Sequence, residues 1–276
     1  MNKWSRTLLA LLLASATISF AQGVAFITNL KGDVAIDGNQ RPLVLAELSK
    51  GQKITVGRDA MLHVMYTVSG KEYVLKPGEY EIRDTEVASA SGMPPIARST
   101  EWRASNKVLS QVGQTSGASV RMRSITKAKA DNSPKLLFPT DGNVGTLQPQ
   151  FRWHAADANG AGELTLHAAG QSKPFHQAKV TGLAHRASAK LKPDTEYVWV
   201  VATSGAEIGP GKFRTLPASA IQAIDKKRPG DKSEFSDRVL FALYLQEMGA
   251  TQEAREAWMR LSQERADLPE LSALAR

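Results

Sequence analysis

Residues 24–86 contain short apolar runs in which apolar and polar positions alternate, with turn residues between the runs. In the stretch MLHVMYTV, every second residue from Leu62 to Tyr66 falls on one face of a strand, and the residues between them fall on the other. The Ser69-Gly70 pair that follows is typical of a hairpin turn. Several short runs at intervals of about 8–12 residues indicate an all-β module, so residues 24–86 are predicted to form one.

Residues 134–217 show the same alternation and are predicted to form a second β module. The stretch LKPDTEYVWVV places Tyr197, Trp199 and Val201 on one face at period two, as expected for the core of a β-sandwich. A carbohydrate-stacking role for Trp199 is the alternative, and it requires that the strand be exposed.

The opposite face of the same strand is also apolar, because it carries Val198 and Val200. An isolated sandwich would expose both side chains to water. We therefore expect another part of the chain to cover this face, either the C-terminal helices or a helix predicted over residues 100–113. Thr100 is the expected N-cap of that helix, which ends near Gly113.

Residues 218–276 are predicted to form a helical hairpin. Asp231 and Glu234 have the spacing of a capping box before its first helix, which ends at Gly249. Over residues 239–245 this helix is apolar on nearly all sides, so one neighbouring helix cannot cover it. We expect the hairpin to dock on the sandwich or on another chain.

The second helix of the hairpin is predicted to begin at Thr251, its N-cap, and to be stopped by Pro269. It has an apolar stripe at the spacing i, i+3, i+4, i+7, which is typical of a helix with one buried face. The stripe consists of Ala254, Ala257, Trp258 and Leu261.

The N-terminus has the pattern of a secretory signal peptide over residues 1–21. Lys3 and Arg6 precede a short apolar stretch, and small residues allow cleavage after Ala21. An uncleaved N-terminal anchor is the alternative. No later segment approaches the roughly 20 apolar residues of a membrane helix, so we expect no transmembrane span after cleavage. The expected location is the periplasm or the outside of the cell.

The composition of the chain excludes several kinds of site and favours certain partners. The chain has no cysteine, which excludes disulfides, thiolate metal sites and thiol nucleophiles. Its net charge of +8 becomes +6 once the two basic residues of the signal peptide leave. Outside the cytoplasm, such a charge favours phospholipid, lipopolysaccharide or peptidoglycan with its attached polymers. A role in solubility alone remains the alternative.

Residues 87–133 are predicted to be a basic linker that includes the helix over residues 100–113. Basic residues cluster there without the interleaved aromatic residues that single-stranded nucleic acid requires. We therefore predict contact with an anionic polymer and no nucleic acid, with a solvated linker as the alternative. The basic residues are Arg103, Lys107, Arg121, Arg123, Lys127 and Lys129.

The order of glycines and strands in residues 24–86 resembles the FecR-type periplasmic domain. That resemblance implies an all-β fold in the cell envelope. In sigma-factor regulators of that family a membrane span precedes the domain, whereas this chain has a signal peptide instead. The resemblance is carried by Gly32-Asp33-Val34, Leu48-x-x-Gly51-Gln52-x-Ile54, Val56-Gly57, Ser69-Gly70-Lys71 and Glu81-Ile82.

Two further resemblances cover the rest of the chain. The spacing of Leu191, Pro193, Thr195 and Tyr197, together with the opener FPTDG and the closer FRTL, resembles the fibronectin type III fold. The hairpin FALYLQEMGATQEAREAWMRL resembles a tetratricopeptide repeat, although only one hairpin is visible. The predicted fold class is therefore multidomain: an all-β FecR-like domain, a fibronectin III/Ig-like β-sandwich, and an α-helical hairpin.

No pattern in the sequence indicates catalysis, and we predict no catalytic residue, no cofactor and no metal site. Ser124 and Lys127 have the S-x-x-K spacing of penicillin-recognising enzymes, but the partner tripeptides of that motif are absent. Four of the five histidines fall in the second β module without the close spacing of metal ligands. They are His154, His167, His176 and His185.

The sequence thus predicts a non-enzymatic, exported envelope protein that acts as a scaffold or binding module. Its expected partners are an envelope protein and a cell-wall or other anionic envelope polymer such as peptidoglycan. The predicted partner surface comprises Val198, Val200, Tyr244 and Trp258. One alternative is a periplasmic sensor or regulator of an envelope signalling system. Another is an enzyme acting on cell-wall glycan, which would need two facing carboxylates in a deep polar cleft.

Overall fold

Described residues cover most of the chain in this computed structural model. They are residues 23–38, 41–100, 102, 133–155, 161–203, 206–230 and 232–275. The predicted signal peptide, nearly all of the helix predicted over residues 100–113, and all six basic residues of the predicted linker lie outside them. Strands make up 41% of the structure, and a few helices follow them near the C-terminus, as predicted.

Nine strands form the first β unit, arranged as two antiparallel sheets that share one hydrophobic cluster. One sheet has the order β3-β1-β5-β6-β9 and the other β2-β4-β7-β8. The strands are β1 Ala25–Lys31, β2 Val34–Ile36, β3 Glu47–Leu48, β4 Lys53–Val56, β5 Met61–Tyr66, β6 Lys71–Leu75, β7 Gly78–Ile82, β8 Val87–Gly92 and β9 Ile96–Ser99.

Eight strands form the second β unit, in which a three-stranded sheet and a five-stranded sheet enclose a separate cluster. Their orders are β10-β12-β15 and β11-β17-β16-β13-β14. Tyr197, Trp199 and Val201 are fully buried in this cluster, as the alternation predicts. The strands are β10 Lys135–Phe138, β11 Asn143–Val144, β12 Gln150–His154, β13 Ala161–Ala168, β14 His176–Thr181, β15 Ala184–Arg186, β16 Glu196–Thr203 and β17 Glu207–Thr215.

The described C-terminal helices are α1 Ala218–Lys227, α2 Phe235–Glu247, α3 Thr251–Glu264 and α4 Leu271–Leu274. Gly249 follows the end of α2 with φ +75°, as expected for a helix stop. The capping box is wrong, because Glu234 is itself the N-cap of α2 and makes no side-chain cap hydrogen bond. The N-cap of α3 is Ala250, which moves Thr251 into the first turn and frees its hydroxyl for another contact.

One contact of the helices is with the sheet that contains β1 and β5, where α2 packs against β1. Residues of α2 and α3 belong to the same hydrophobic cluster as the first β unit. Because the helices cover this sheet, β5 is buried on both faces beyond Met61. The alternating sequence of β5 would also fit a strand with one face exposed to solvent. The hairpin was expected to dock on the sandwich or on another chain, so its contact with the first β unit was not predicted.

Another side of α2 faces a third hydrophobic cluster, which joins the helices to the second β unit. Phe241 and Leu245 of α2 lie in it with Ile224 of α1, and Leu216 and Leu147 of the second β unit join them. The apolar run of residues 239–245 is therefore covered by two neighbours on different sides. The helices thus contact both β units.

Val198 and Val200 on β16 are half-buried. The helices pack mainly on β1 and β11, so the expectation that they cover the outer face of β16 is not met. The alternative cover, the helix predicted over residues 100–113, lies almost wholly outside the described residues.

Candidate functional site

A polar cleft of about 350 Å³ lies where the second β unit meets α1 and α3. Its walls come from β10, β12, β15, the segment that precedes β12, and the two helices. We call it the arginine cleft, because four arginines line it: Arg152, Arg186, Arg228 and Arg260. The other lining residues are Phe138, Thr146, Gln148, Pro149, Gln150, Asp225, Glu253 and Glu256.

The position of the arginine cleft is set by the way α3 holds the loop between β10 and β11. The hydroxyl of Thr251 accepts the backbone N–H of Asn143 at 3.2 Å. The buried Gln252 donates its side-chain amide to Asp141, whose carboxylate also accepts Arg255 at 2.8 Å. Side chains in the first turns of α3, beginning at Thr251, thus contact this loop. They fix α3 beside the sheet from which Arg152 projects.

Ion pairs occupy part of the cleft wall. Arg152 pairs with Glu256, and its guanidinium carbon lies 5.3 Å from the centre of the Phe138 ring. Arg260 lies 4.0 Å from the second oxygen of Glu256. Burial lowers the pKa of Arg152, and the nearby positive charge of Arg260 lowers it further.

Glu253 lies at the inner side of the cleft. Its Oε1 atom accepts the backbone N–H of Gly145 at 2.6 Å, and its Oε2 atom is buried without a hydrogen-bond partner among the described residues. Burial raises the pKa of Glu253 to about 7, although the N–H of Gly145 and the charge of Arg228 act in the opposite direction. Glu253 therefore contributes less than a full negative charge at neutral pH.

The charge balance of the cleft is positive. Four guanidinium groups face three carboxylates, and one of those carboxylates, Glu253, is partly protonated at neutral pH. Of the others, Glu256 is shared by two arginines, and Asp225 pairs with Arg228 at 3.1 Å. Arginine presents a planar fork of N–H donors that matches carboxylate and phosphate groups. The arrangement suits an anionic ligand.

A second buried polar group lies between the first β unit and α2, and we call it the Glu72 cluster. Glu72 is completely buried on β6, directly opposite Arg98 on β9, and the two form an ion pair. Thr28 donates its hydroxyl to Glu72 at 2.6 Å. Thr28 lies at the irregular position in β1 where the register with β5 shifts. Ser236 donates to Glu72 at 3.3 Å, and Arg98 also binds Asp237. The cluster anchors α2 to the sheet.

Ionisation of Glu72 follows from these contacts. Burial alone would raise its pKa, but His63, Thr28 and Arg98 together lower the pKa to about 2. His63 Nδ1 lies 3.6 Å from the carboxylate, which is longer than an ordinary hydrogen bond. The carboxylate of Glu72 is completely buried, whereas Arg98 and Asp237 at the outer side of the cluster line a cleft of about 340 Å³. The buried contacts to α2 indicate a structural role for Glu72 itself.

The predicted partner residues are not brought together. Trp258 is fully buried and donates its indole N–H to Gln246 at 3.1 Å, so it is a core residue. Tyr244 is half-buried beside Trp102, and the ammonium group of Lys227 lies 5.4 Å from its ring centre. Val198 and Val200 lie on β16 of the second β unit. The predicted anionic-polymer residues Arg103, Lys107, Arg121, Arg123, Lys127 and Lys129 lie outside the described residues.

The arginine cleft was not predicted, because its arginines come from four separate parts of the chain. Arg152 and Arg186 lie on neighbouring strands, since β12 pairs with β15. Arg228 follows α1, and Arg260 lies on α3. The sequence shows only an overall positive charge, which does not indicate where in the fold the arginines cluster.

Comparison with known families finds no family model that matches this chain, and no curated protein matches it either. Within the part of the chain that the structure describes, no helix is both long and apolar enough to cross a membrane.

Proposed function

We propose that this chain is an exported, non-enzymatic scaffold of the cell envelope that binds an anionic envelope polymer in the arginine cleft. In this proposal the first β unit is a FecR-type domain, and the second is a fibronectin type III-like domain. The C-terminal helices hold the two in a fixed relation. The signal peptide pattern supports export, and the mature charge of +6 favours an acidic partner.

The observation that carries the proposal is the excess of guanidinium groups in a cleft that also offers neutral contacts. Gln148, Gln150 and Thr146 supply hydrogen-bonding groups, while Phe138 and Pro149 supply apolar surface. Sugar units bearing carboxylate or phosphate groups need both kinds of contact. Peptidoglycan with its attached anionic polymers has this chemistry.

The test is cosedimentation of the purified chain with peptidoglycan that retains its anionic polymers, at low and high salt. We expect the bound fraction to fall as salt rises, because exposed charge pairs are screened. The double variant Arg186→Ala/Arg228→Ala should weaken binding by about tenfold or more, since each contact to a charged group contributes about 1.5–3 kcal/mol.

The matched control is Lys179→Ala/Lys212→Ala, which removes the same charge from exposed positions on β14 and β17. It should change binding by less than about twofold if the cleft is specific. An equal loss in both variants would reduce the interaction to general charge attraction. A loss seen only when the six basic residues of the predicted linker are replaced would move the site to that segment.

A second candidate, hydrolysis of a cell-wall glycan, is favoured by one observation. Glu253 has a pKa of about 7 and lines a polar cleft, as a general acid would. Against it, Glu256 and Asp225 are already paired with arginines. We expect no release of soluble sugar from peptidoglycan around neutral pH; release by the wild-type chain that stops in Glu253→Gln would establish the enzyme instead.

A further inference from the structure

Two of the four histidines in the second β unit face each other across the open edge of the sandwich. His176 begins β14 in the five-stranded sheet, and His185 lies on β15 in the three-stranded sheet. Their Nε2 atoms are 3.1 Å apart. The short connection between β14 and β15 passes from one sheet to the other, and this brings together residues that pair in different sheets.

Register explains why both imidazoles point the same way. His176 lies directly opposite Leu166, and His185 directly opposite Phe151. Residues directly opposite one another in a sheet project to the same side. Leu166 and Phe151 are both fully buried, so the two histidines project inward at the rim of the core. Both are half-buried, which leaves one side of the pair open to water.

The ring geometry shows how the nitrogen atoms meet. The ring centres are 5.4 Å apart and the ring planes differ by 18°. Because the Nε2 atoms are much closer than the ring centres, the rings meet through their nitrogen-bearing edges. Two Nε2 atoms in this position are satisfied in one of two ways. Either one donates its N–H to the other, or both bind the same ion.

We propose that His176 and His185 form a two-histidine site for a divalent transition-metal ion of the Zn²⁺, Cu²⁺ or Ni²⁺ class, which ties the two sheets of the second β unit together. Two nitrogens bound at about 2.0–2.1 Å to one ion lie about 2.9–3.4 Å apart when the bond angle is about 90–110°. The observed separation falls in this interval. Because the rings meet nearly end to end, each must turn so that its Nε2 lone pair points at the shared ion instead of at the other nitrogen. Water supplies the remaining ligands.

The surroundings keep the imidazoles available as ligands. Burial lowers the pKa of His185, and the nearby His176 lowers it further, which favours the neutral form of His185. A neutral imidazole is the form that binds metal. Among the residues that the structure describes, no group of three or more potential ligands converges, so no larger site competes with the pair.

The test is calorimetric titration of the purified chain with Zn²⁺ and, separately, Ni²⁺ at about pH 7.5, because metal binding by histidine is favoured at higher pH, with thermal unfolding recorded alongside. We expect one ion per chain and a higher melting temperature in its presence, because the ion bridges two sheets that separate on unfolding. His176→Gln and His185→Gln should each weaken binding by about tenfold or more and abolish the thermal shift, since each removes one of only two protein ligands.

His154→Gln and His167→Gln are the matched controls, because they remove an imidazole from the same β unit outside the pair. They should bind the ion as the wild type does. Melting of all four variants without metal shows whether each is folded. The proposal is overturned if the wild type shows no saturable binding, which leaves an N–H···N hydrogen bond as the whole role of the pair. It is equally overturned if the control variants lose binding as the pair variants do.

Discussion

Two glutamates lie where the C-terminal helices contact the two β units, and their pKa values are shifted in opposite directions. Glu72 is completely buried and Glu253 is half-buried. Glu72, at the contact with the first β unit, has its pKa lowered to about 2. Glu253, at the contact with the second, has its pKa raised to about 7. Burial acts in the same direction at both sites, since it raises the pKa of each carboxyl group.

The difference lies in the partners. Glu72 receives hydrogen bonds from Thr28 and Ser236 and is paired with Arg98, so both of its oxygens are satisfied. Among the residues described, Glu253 has no cation paired with it; its Oε1 atom accepts the N–H of Gly145, and its Oε2 atom has no hydrogen-bond partner. A buried carboxylate stays ionised only where donors and cations replace the water it has lost.

This comparison assigns different roles to the two contacts. Both carboxylate oxygens of Glu72 are buried and hydrogen-bonded, as expected for an anchor that holds α2 in place. The contact at Glu253 leaves one oxygen without a partner among the described residues and opens on the arginine cleft. A ligand can therefore still add bonds at Glu253, whereas the paired carboxylate of Glu72 contributes to stability.

The largest expected effect is that of Glu72→Ala. It should lower the free energy of unfolding by about 3–4 kcal/mol, because it leaves Arg98 only partly paired and Thr28 and Ser236 without their acceptor. Arg98 keeps Asp237, so the loss should stay near the lower end of the range for broken buried pairs. Urea unfolding measures this change.

Glu79→Ala is the control for that substitution, because Glu79 is an exposed glutamate on β7 of the same β unit. It should change stability by less than about 0.5 kcal/mol. If Glu72→Ala lost no more than this control, the Glu72 cluster would not be an anchor.

The sequence predicts the elements of this fold better than it predicts their assembly. The β-rich chain with helices at its C-terminal end is confirmed, and so is the buried face of Tyr197, Trp199 and Val201. Alternation reports which neighbouring side chains share a face, so it is a local property. It does not report which element covers the second face of β5, where α2 docks from about 170 residues further along the chain.

Polar groups that meet only through long-range strand pairing are also difficult to predict from the sequence. Glu72 and Arg98 face each other only because β6 pairs with β9, and the sequence places the glutamate in an ordinary strand. His176 and His185 are nine residues apart, yet they meet only because the chain changes sheets between them. Neither pair has the sequence spacing at which a helix or a tight hairpin brings two side chains together.

A smaller effect is expected at the contact between α3 and the second β unit. Gly142 has φ +73°, and a Cβ atom there would lie 2.5 Å from the hydroxyl of Thr251. Gly142→Ala should therefore cost about 2 kcal/mol, from backbone strain together with displacement of Thr251 from Asn143. Thermal or urea unfolding measures the change.

Gly170→Ala separates the two contributions to that cost. Gly170 has nearly the same φ, +75°, but no atom lies within 4 Å of the position of its Cβ. It should cost only about 1 kcal/mol, from the backbone alone. Equal costs for the two variants would mean that the contact between Thr251 and the β10–β11 loop contributes no stability.

The smallest expected effect is the pH dependence that Glu253 adds. A raised folded pKa gives stability that is complete below about pH 4.5, the ordinary value, and is lost as the pH rises through about 7. A lowered folded pKa, as at Glu72, gives stability that is complete above about pH 4.5 and is lost as the pH falls towards about 2. The contribution of these two groups should therefore be largest near pH 5.

Glu253→Gln tests the upper part of this profile. The variant should match the wild type near pH 5 and exceed it by about 1 kcal/mol at pH 8, because the glutamine side chain would keep an oxygen for Gly145 without being charged. This free energy is well below what the full pKa shift would give, because Glu253 is only half-buried and solvent screens its charge. The exposed Glu247→Gln is the control, and urea unfolding at both pH values provides the measurement. A variant that tracked the wild type at both pH values would mean that the folded pKa of Glu253 is not raised.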